Sequence, residues 1–600
     1  MKNGPLYEVR KIKDLKDMLS QSAELYANDT AFLVKDPRAL GDAAAMAEAE
    51  GAINANNKDG NNATPAKDKS LPYLPVTYKK YSEDVDAFGT YLMNQGLQSA
   101  RVAILAETRY EWYISYMSTV NGAGIVVPLD KELPVAEISS LLNRAHADVL
   151  IYAGSKRKEV DAIRDQLPEM KIIISMDEPV EGSGDLYFWN CLTEGYKLLG
   201  QGDKTFVDAV IDAETLGILL FTSGTTAKSK AVMLSHRNIC INLQAMCSML
   251  YIGPDDVFLS VLPLHHTYEC TCGFLCPIYR GCTVAVCEGL RHITKNMQES
   301  KVTIMLVVPL MMELFYKRIM KAATSTPEMA KKFRMGLKIS GLLRKIGVDK
   351  RRKLFAKVHD NFGGHLRLLI AGGAAIDPSV LSGMQDLGIH CVQGYGLTEC
   401  APILALNRDA YYKNESAGLP LPGVDVKIVD KDENGIGEII GKGPNVMLGY
   451  YEDEEATAEA IDKEGYFHTG DLGYLDKDNF VIITGRKKNV IVTNNGKNIY
   501  PEEIEFLLLQ HDLIAECLVS SASDSDGKET MIQAEIFPSE EKVNELFGAI
   551  SLDDDRVRAE IEKIIREVNH SLATYKYVKR FELRTTEFEK TTSKKIKRKY

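Results

Sequence analysis

The sequence predicts an α/β protein with a large N-terminal domain of two doubly wound α/β subdomains and a small β-barrel, followed by a small α+β C-terminal domain. Three observations support this fold class. Short apolar runs alternate with helical patterns from Val76 onward, and beyond Gly418 the runs shorten and turn residues multiply. A chain of 600 residues, 45% hydrophobic and 26% charged, is also longer than one core requires.

The first α/β series follows a strand expected around residues 30–34. Between that strand and the series, residues 40–70 are rich in Ala, Asn, Gly and Asp and contain almost no large apolar residues. This composition predicts a mobile surface loop. A doubly wound sheet is indicated because its buried parallel strands are nearly continuous apolar runs. The predicted strands of this series are 102–105, 125–128, 149–152 and 172–175.

A second series predicts another layer within the same large domain. Its apolar runs are 216–220, 257–262, 283–286, 304–308 and 366–370. Beyond it, DENG (432–435) and DKDN (476–479) are turn sequences that favour a small antiparallel sheet resembling a barrel. From about Arg486 strands and helices alternate again, so we predict domains at 1–485 and 486–600.

Composition and charge exclude several classes of protein. The net charge of −11 is spread along the chain and does not recommend a nucleic-acid partner. No apolar stretch is long enough for a membrane span, which favours a cytoplasmic protein. The eleven cysteines lack paired spacing and are expected to be reduced. Cys270, Cys272 and Cys276 are more readily explained as buried thiols than as a metal site.

A hydroxyl-rich loop, FTSGTTAKSK (221–230), lies between two apolar runs. A strand, a turn and a strand are predicted, and the small residues expose backbone N–H groups that bind phosphate oxygens, with Lys230 as the positive charge. Ser229 and Ala231 flank Lys230 where a P-loop has Gly and Ser or Thr, so a P-loop NTPase is disfavoured. On this loop alone, an ordinary Ser/Thr/Gly turn remains an alternative.

From this loop onward the chain resembles the adenylate-forming superfamily, which includes acyl-CoA synthetases, luciferases and nonribosomal adenylation domains. Because many short segments agree in the same order over most of the chain, the resemblance is specific. The further matching segments are LPLHHTYE (262–269), AGGAA (371–375), QGYGLTE (393–399), GEIIGKGPNVMLGYY (437–451), HTGDLGYLD (468–476), GRKKNVIVTNNGKNIYPEEIE (485–505) and KTTSKKIKR (590–598).

The resemblance implies a two-step reaction. A carboxylate attacks the α-phosphorus of Mg-ATP and forms acyl-AMP and pyrophosphate, and a thiol, most often that of coenzyme A, then displaces AMP. The first nucleophile is already an anion and needs no general base. Catalysis is therefore expected to depend on holding two anions in line while phosphate charge is neutralised.

The resemblance also assigns roles to the nucleotide-binding residues. The β- and γ-phosphates are expected to contact Thr222, Ser223, Gly224, Thr225, Thr226 and Lys230. The adenine is expected to lie against Gly372, Gly373 and Ala374, with Tyr395 and Gly396 on its other side. Thr398 is expected to donate to the α-phosphate and Glu399 to hold Mg2+. Asp471 is expected to accept the ribose hydroxyls, with a turn-capping aspartate as the alternative, and Arg486 to lie near the ribose and phosphate.

The C-terminal segment is implied to move between the two steps. Lys595 is expected to bridge the carboxylate and the α-phosphate, although the surrounding lysines alone would be interpreted as a solvated charge run. Lys488 corresponds to the family's hinge position, and Gly496 opens the segment expected to form the thiol tunnel once Lys595 withdraws. His266 is expected to gate the junction of acyl pocket and tunnel, with a buried core histidine as the alternative.

The acyl substrate is expected to be a long-chain fatty acid, because Glu269 and the insertion 325–364 resemble the long-chain branch. The insertion combines many cations with apolar residues at helical spacing. Two explanations stay open: weak peripheral membrane contact, or two helices that cover the acyl tunnel. A homodimer also stays open, and the other expected partners are the small-molecule substrates.

The chain departs from the family pattern at Ala227, Ser229, Ala231 and Lys594, where Gly, Pro, Gly and Gly are usual. Ala227 and Ala231 restrict the backbone of the phosphate loop, but they remove no reacting group. Two other functions remain: a ligase that delivers acyl groups to a carrier protein, and an inert nucleotide- or lipid-binding homologue. The second is disfavoured because Thr398, Glu399 and Lys595 are all present.

Overall fold

The computed structural model describes residues 4–41, 71–222, 229–492, 497–523, 530–590 and 596–598. The predicted mobile loop at 40–70 lies outside these residues from residue 42 onward. The described residues form two compact units. The first unit contains the described residues within Met1–Thr222, Lys230–Asp425 and Lys442–Ile461. The second unit contains Val426–Gly441 and the described residues within Asp462–Tyr600.

The first unit contains most of the helices, numbered here in chain order. They are α1 (Leu15–Leu25), α2 (Tyr78–Asn94), α3 (Tyr110–Ser118), α4 (Val135–Arg144), α5 (Arg157–Asp161), α6 (Phe188–Gly200), α7 (His236–Met249), α8 (Cys276–Arg280), α9 (Ile293–Ser300), α10 (Pro309–Ala323), α11 (Pro327–Lys345), α12 (Arg351–Leu354), α13 (Ala356–Asn361), α14 (Pro378–Asp386) and α15 (Glu454–Ala460). Two π-helical segments are Thr119–Ala123 and Tyr268–Leu275.

The strands of the first unit belong to two large sheets. They are β1 (Thr30–Val34), β2 (Leu74–Thr77), β3 (Ala100–Leu105), β4 (Gly124–Pro128), β5 (Val149–Tyr152), β6 (Ile172–Ser175), β7 (Leu186–Tyr187), β8 (Leu216–Thr222), β9 (Lys230–Ser235), β10 (Val257–Ser260), β11 (Thr283–Val286), β12 (Ile304–Val307), β13 (Leu368–Ala371), β14 (His390–Gly396), β15 (Ile403–Leu406), β16 (Leu419–Pro420) and β19 (Gly449–Tyr450).

One sheet of nine described strands has the order β16-β15-β14-β13-β12-β10-β11-β1-β2. Strands β14, β13, β12, β10, β11 and β1 run parallel. The pairs at its two edges, β1 with β2, β14 with β15 and β15 with β16, are antiparallel. The carboxyl ends of its parallel strands therefore share one edge.

The other sheet has eight described strands in the order β19-β9-β8-β4-β3-β5-β6-β7. It is parallel from β8 to β7, whereas β8 pairs with β9, and β9 with β19, in antiparallel fashion. The strand order departs from the sequence order in both sheets, as doubly wound layers require. The predicted α/β fold class is confirmed.

Apolar side chains from strands and covering helices form a core on each sheet. Beside the nine-stranded sheet, Leu369, Met384 and Met312 are fully buried. Beside the eight-stranded sheet, Leu150 and Leu142 are buried in the same way. Each such burial contributes about 1.5–3 kcal/mol relative to an exposed side chain. The cores therefore hold the strand ends, and the loops that follow them, in fixed positions.

An aromatic cluster anchors the π-helical segment Tyr268–Leu275. Phe274 packs against Tyr113 at a centroid distance of 4.8 Å and against Phe32 at 6.4 Å. Phe32 also contacts Tyr81 edge-on at 4.7 Å. Edge-to-face aromatic pairs contribute about 0.5–1.5 kcal/mol beyond their buried area. The segment that follows LPLHH is therefore rigidly seated in the core.

The described part of the second unit contains three further sheets, one of them the two-stranded pair of β22 and β23, and three α-helices. Its elements are β17 (Asp425–Val429), β18 (Gly437–Lys442), β20 (Phe467–Leu475), β21 (Val481–Arg486), β22 (Ile491–Val492), β23 (Asn498–Ile499), α16 (Pro501–Leu509), β24 (Ile514–Ser523), β25 (Thr530–Pro538), α17 (Glu540–Phe547), α18 (Asp555–Ser571) and β26 (Val578–Leu583). Strands β17, β18, β20 and β21 form a four-stranded sheet in that order. Strands β24, β25 and β26 form another, with core residues that include Ile504, Val519 and Ile561.

Aspartate-capped turns join the strands of the four-stranded sheet. Asp432 Oδ1 accepts hydrogen bonds from the N–H groups of Asn434 and Ile436, and Asp476 Oδ1 accepts in the same way from Asp478 and Phe480. Such side-chain turns explain why DENG and DKDN end one strand and start the next. The predicted antiparallel sheet is therefore present where expected. The predicted boundary between 485 and 486 stays a prediction.

All eleven cysteines lie within the described residues, and all are buried and free. The Sγ atoms of Cys247 and Cys276 are 3.5 Å apart and not bonded. Burial raises the pKa of the Cys270 thiol to about 12. Cys270, Cys272 and Cys276 are thus protonated core thiols, as predicted.

Candidate active site

Three of the matching segments follow parallel strands of the nine-stranded sheet. The LPLHHTYE segment follows β10, the AGGAA segment begins at the end of β13, and Thr398 and Glu399 follow β14. Since these strands are parallel, the three segments lie along its carboxyl edge. Ligands of doubly wound folds bind at this edge. The structure therefore brings together groups that are distant in sequence.

Gly372, the first glycine after β13, makes room for a tyrosine ring. A Cβ atom built at Gly372 would lie 2.8 Å from Cζ of Tyr268. The Tyr268 hydroxyl donates to the carbonyl of Ile370 over 2.8 Å, which fixes the ring against this strand. Gly373, at φ +87°, and Ala374 are exposed. The exposed backbone at this edge of the sheet is thus Gly373–Ala374, whereas Gly372 is explained by Tyr268.

Tyr395 and Gly396 form the end of β14. Tyr395 is half-buried and lies opposite Ala405 of β15. A Cβ atom built at Gly396 would lie 1.8 Å from the carbonyl oxygen of Pro402. Glycine is therefore required here by the close approach of the neighbouring chain.

Thr398 and Glu399 lie in a short 3-10 turn, Thr398–Cys400. The hydroxyl of Thr267 donates to Thr398 Oγ1 over 3.1 Å, which links the LPLHHTYE segment to this turn. The backbone carbonyl of Glu399 accepts from Met447 N–H over 2.8 Å. Thr398 and Glu399 are both half-buried, so neighbouring residues hold them in place while part of each remains accessible to solvent.

Tyr450 connects Glu399 to the strand that bears Lys230. Its hydroxyl donates to Glu399 Oε1 over 3.0 Å, and the Lys230 ammonium lies 4.4 Å from its ring centroid. Burial, and then the charge of Glu399, raise the pKa of the Tyr450 phenol, which keeps it protonated and donating at neutral pH. Lys230 lies opposite Thr222 in the β8–β9 pair, and the Thr222 hydroxyl donates to its carbonyl over 3.3 Å.

No role was predicted for Tyr450, although the matching segment 437–451 contains it. The signal was present: Tyr450 is the third residue of the LGYY run (448–451), and its short strand, β19, pairs with β9. Ser223, Gly224, Thr225, Thr226 and Ala227 lie outside the described residues. The two predicted strands on either side of them are confirmed as β8 and β9.

The two neighbouring histidines have opposite environments. His266 is exposed, whereas His265 is largely buried, and their ring centroids are 4.2 Å apart. Burial, reinforced by His266, lowers the pKa of His265 to about 3, even though Asp130 lies 3.6 Å away. The core-histidine alternative raised for His266 therefore describes His265, a neutral imidazole, whereas His266 is accessible to solvent.

Glu269 is a buried acid in the same segment. The Ser260 hydroxyl donates to Glu269 Oε1 over 2.6 Å, and the other carboxyl oxygen has no hydrogen-bond partner among the described residues. A Cβ atom at Gly273 would lie 2.7 Å from this carboxyl group. Burial raises the pKa of Glu269 to about 8, so its carboxyl group is mainly neutral at pH 7.

In the second unit, Asp471 of β20 lies opposite Arg486 of β21. Arg486 Nε is 3.1 Å from Asp471 Oδ1, and Asp471 is buried. The Asp471 N–H donates to Thr469 Oγ1, so the hydroxyl that caps this turn belongs to Thr469. The structure thus brings Asp471 and Arg486 together, as a site for vicinal hydroxyls and a nearby phosphate would need.

A second carboxylate, Glu438, organises the same turn and was missed by sequence analysis. It accepts from Lys487 Nζ over 2.7 Å and from Gly470 N–H over 3.1 Å. Burial alone would raise the pKa of Glu438, but Lys487 and His468 lower it. Burial, and then Arg486, lower the pKa of Lys488. Gly496, Lys594 and Lys595 lie outside the described residues.

These residues suit a magnesium-bound triphosphate. Glu399 supplies a hard carboxylate oxygen, Thr398 a hydroxyl and Lys230 a positive charge, and magnesium binds through one or two carboxylates plus substrate phosphates. Two doubly wound sheets, a hydroxyl-rich loop after β8 and this donor set together define a nucleotide-binding enzyme.

The particular family follows from comparison with known proteins. A family model described as AMP-binding enzyme matches residues 60–451, and the chain belongs to that family. Long-chain-fatty-acid–CoA ligase 1 of Cavia porcellus is 29% identical over 497 residues, covering 75% of this chain and 68% of its own. Long-chain-fatty-acid–CoA ligase FadD15 of Mycobacterium bovis is 26% identical over 558 residues, covering 88% and 90%.

Among solved structures, the anthranilate CoA ligase AuaEII in complex with anthranoyl-AMP is similar with a TM-score of 0.72. Its sequence is 20% identical, and the match covers 98% of this chain and 96% of that one. This similarity shows the fold. The predicted membership of the adenylate-forming superfamily and its long-chain branch is confirmed. The family assignment makes the protein an AMP-forming ligase.

Proposed function

We propose that the protein activates a long-chain fatty acid with ATP to acyl-AMP and pyrophosphate, and then transfers the acyl group to coenzyme A. The observation that carries this proposal is the continuous arrangement Lys230–Tyr450–Glu399, with Thr398 beside it. The long-chain specificity is supported by the names of the relatives and by Glu269 within LPLHHTYE.

In the first step the residues act by position and charge. The fatty carboxylate attacks the α-phosphorus and pyrophosphate leaves, so no proton needs to move. Lys230 neutralises charge on the β- and γ-phosphates, Thr222 contacts them, and Thr398 donates to the α-phosphate. Tyr450 holds the Glu399 carboxylate through one oxygen, which leaves the other for Mg2+. The bound ion supplies charge neutralisation at the phosphates.

We assign the adenine edge to the backbone of Gly373–Ala374 and the adenine face to Tyr395. In the second unit, we assign the ribose hydroxyls to Asp471. Arg486 pairs with the Asp471 carboxylate and contributes positive charge. These roles are proposals that follow the family pattern.

In the second step the coenzyme A thiol attacks the acyl carbonyl and AMP leaves. We propose that Lys595 acts in the first step and that the segment beginning at Gly496 acts in the second, with rotation about Lys488 between them. The exposed His266 is the gate residue in this scheme.

Pyrophosphate release over a panel of fatty acids, with and without coenzyme A, tests the proposal. We expect release to be greatest with acids of long chain length. The Lys595→Ala variant is expected to lose adenylation by about 100-fold or more, since one ion-pair donor is removed from the transition state. The same variant is expected to convert supplied acyl-AMP to acyl-CoA at close to the wild-type rate. Equal loss of both half-reactions would contradict the moving-domain scheme.

The acceptor is tested by the same assay. If a pantetheinylated carrier protein accepts the acyl group and coenzyme A does not, the enzyme is a carrier-protein ligase. If no acid releases pyrophosphate while ATP still binds, the protein is an inert nucleotide-binding homologue.

We further propose a cytoplasmic location with peripheral membrane contact. The eleven buried free thiols support a reducing compartment. In the part of the chain that the structure describes, no helix has the length and hydropathy needed to cross a membrane. Light scattering over a range of protein concentrations tests whether the protein forms a homodimer.

A further inference from the structure

Helix α11, Pro327–Lys345, has one face packed against the nine-stranded sheet unit and another face in solvent. Phe333 and Leu337 pack on the core beside that sheet, and Ser340 is buried. These residues recur at intervals of three and four, as one helical face does. An ordinary surface helix would be polar on the opposite side.

The solvent face of α11 is instead apolar along its centre. Met335, Ile339, Leu342 and Ile346, which caps the helix, follow the spacing i, i+4, i+7 and i+11 and so form one row. Their exposed fractions are 53%, 41%, 64% and 73%. Isolated exposed aliphatic residues need no explanation, but a row along one helix face marks an interaction site.

Lysines flank this apolar row. Lys331, Lys338 and Lys345 are spaced seven residues apart, which places them along one side of it, and all three are exposed. Among the described residues none of the three forms a salt bridge. Residues 327–354 contain ten Lys and Arg against two acidic residues, Glu328 and Asp349, in a chain whose net charge is −11. The positive charge is therefore local.

We propose that this surface, the apolar row and its lysines, docks α11 in the plane of a bilayer that contains anionic lipids. Aliphatic side chains enter the headgroup region while lysines contact lipid phosphates, which is how basic amphipathic helices bind membranes. The inference deepens the peripheral contact proposed above and is measured without ATP, acid or coenzyme A, so its failure is distinct from failure of the ligase reaction.

Two other occupants fit the surface less well. The phosphates of a nucleic acid would contact the lysines, but the aliphatic row would remain without a partner. A second copy of the same face would bring two strongly positive surfaces together, which is unfavourable. The opposite face of α11 packs on the core beside the nine-stranded sheet through Phe333 and Leu337, so it is the face to which the predicted covering of the acyl tunnel would apply.

Vesicle flotation of the full chain tests the inference. The probes are phosphatidylcholine vesicles with and without about 30% phosphatidylglycerol, at about 0.05 M and about 0.5 M NaCl. We expect binding to the anionic vesicles at low salt, and at least about tenfold weaker binding without phosphatidylglycerol or at high salt. Absence of binding to anionic vesicles at low salt, or binding unaffected by salt, would overturn the inference.

Two variants, each with a matched control, locate the surface. Lys331→Gln/Lys338→Gln/Lys345→Gln and Ile339→Asn/Leu342→Asn are each expected to weaken binding at least about fivefold. The controls, Lys79→Gln/Lys197→Gln/Lys563→Gln and Leu290→Asn/Leu546→Asn, change exposed residues of the same types elsewhere and are expected to bind as wild type. Equal losses in variant and control would contradict the placement on α11. Binding of poly(A) that equals vesicle binding, or a dimer abolished by Ile339→Asn/Leu342→Asn, would identify a different partner.

Discussion

At the scale of single residues, Tyr450 is the most informative side chain of the site. Its hydroxyl and its ring contact two groups that the family pattern assigns to magnesium and phosphate, Glu399 and Lys230. The distance between those groups along the chain is large, and the contact exists because β19 pairs with β9. A motif comparison identifies the two ends of this arrangement but not the residue between them.

Tyr450→Phe is expected to reduce adenylation about tenfold and to raise the KM for Mg-ATP. The ring over Lys230 is kept, but the hydrogen bond to a charged carboxylate, of about 1.5–3 kcal/mol, is lost. Initial rates of pyrophosphate release at varied Mg-ATP measure the effect. Tyr451→Phe, which leaves the ring against Arg101, is the matched control. Equal kinetics for the two variants would show that the Tyr450 hydroxyl has no positioning role.

Glu269 predicts a pH dependence of stability. Its folded-state pKa of about 8 lies above the ordinary value of 4.5, so the folded state holds the proton more tightly than the unfolded state. The stability that it contributes is fully present below about pH 4.5 and is lost as the pH rises through about 8. Glu269→Gln, which cannot ionise, is expected to gain on the order of 4 kcal/mol over wild type by pH 8.

Thermal unfolding of wild type and Glu269→Gln between about pH 5.5 and pH 8.5 measures this difference. The two proteins are expected to converge towards the acid end. Glu132→Gln, at an exposed carboxylate, is the control and is expected to follow wild type throughout. A constant difference between Glu269→Gln and wild type across this range would mean that Glu269 is ionised in the folded protein.

At the scale of elements, most strands of the large domain could be predicted because buried parallel strands are plain apolar runs. Val149–Tyr152, Ile172–Ser175 and Thr283–Val286 were predicted with the bounds observed. The π-helical segment Tyr268–Leu275 was not predicted, since its apolar residues have no period that separates it from a strand or an ordinary helix. The burial and neutrality of Glu269 were not predicted either, because its hydrogen-bond partner, Ser260, comes from a different element, β10.

Two glycines in different elements are expected to respond oppositely to alanine. Gly372→Ala would place Cβ 2.8 Å from the Tyr268 ring, so we expect a loss of about 1–3 kcal/mol and weaker ATP binding. Gly341→Ala in α11 meets no atom within 4 Å and is expected to stabilise by about 0.5–1 kcal/mol.

Differential thermal unfolding and ATP titration calorimetry measure both glycine variants. Tyr268→Leu combined with Gly372→Ala is expected to recover part of the loss, because the ring that opposes Cβ is gone. If the single variant Gly372→Ala has the thermal stability and the ATP affinity of wild type, the packing of Tyr268 on β13 does not determine the geometry of this edge of the sheet.

At the scale of the whole molecule, the sequence predicted the fold class and the family because ordered motifs extend from the phosphate loop to the C-terminal lysines. It could not predict which motif residues meet, since Thr267 and Thr398 lie in segments that follow different strands, and Asp471 and Arg486 lie on two different strands. It also could not choose between the explanations of the basic insertion. That choice depends on which apolar residues of α11 face the core and which face solvent.

The central claim is that a fatty carboxylate oxygen attacks the α-phosphorus of ATP. The most direct measurement is the reaction of 18O-carboxylate-labelled fatty acid with ATP and coenzyme A, followed by mass spectrometry of the products. Since that oxygen becomes the bridge of acyl-AMP and leaves with AMP, the account predicts one 18O atom in AMP and none in pyrophosphate. ADP and 18O-labelled phosphate, or AMP without label, would contradict it.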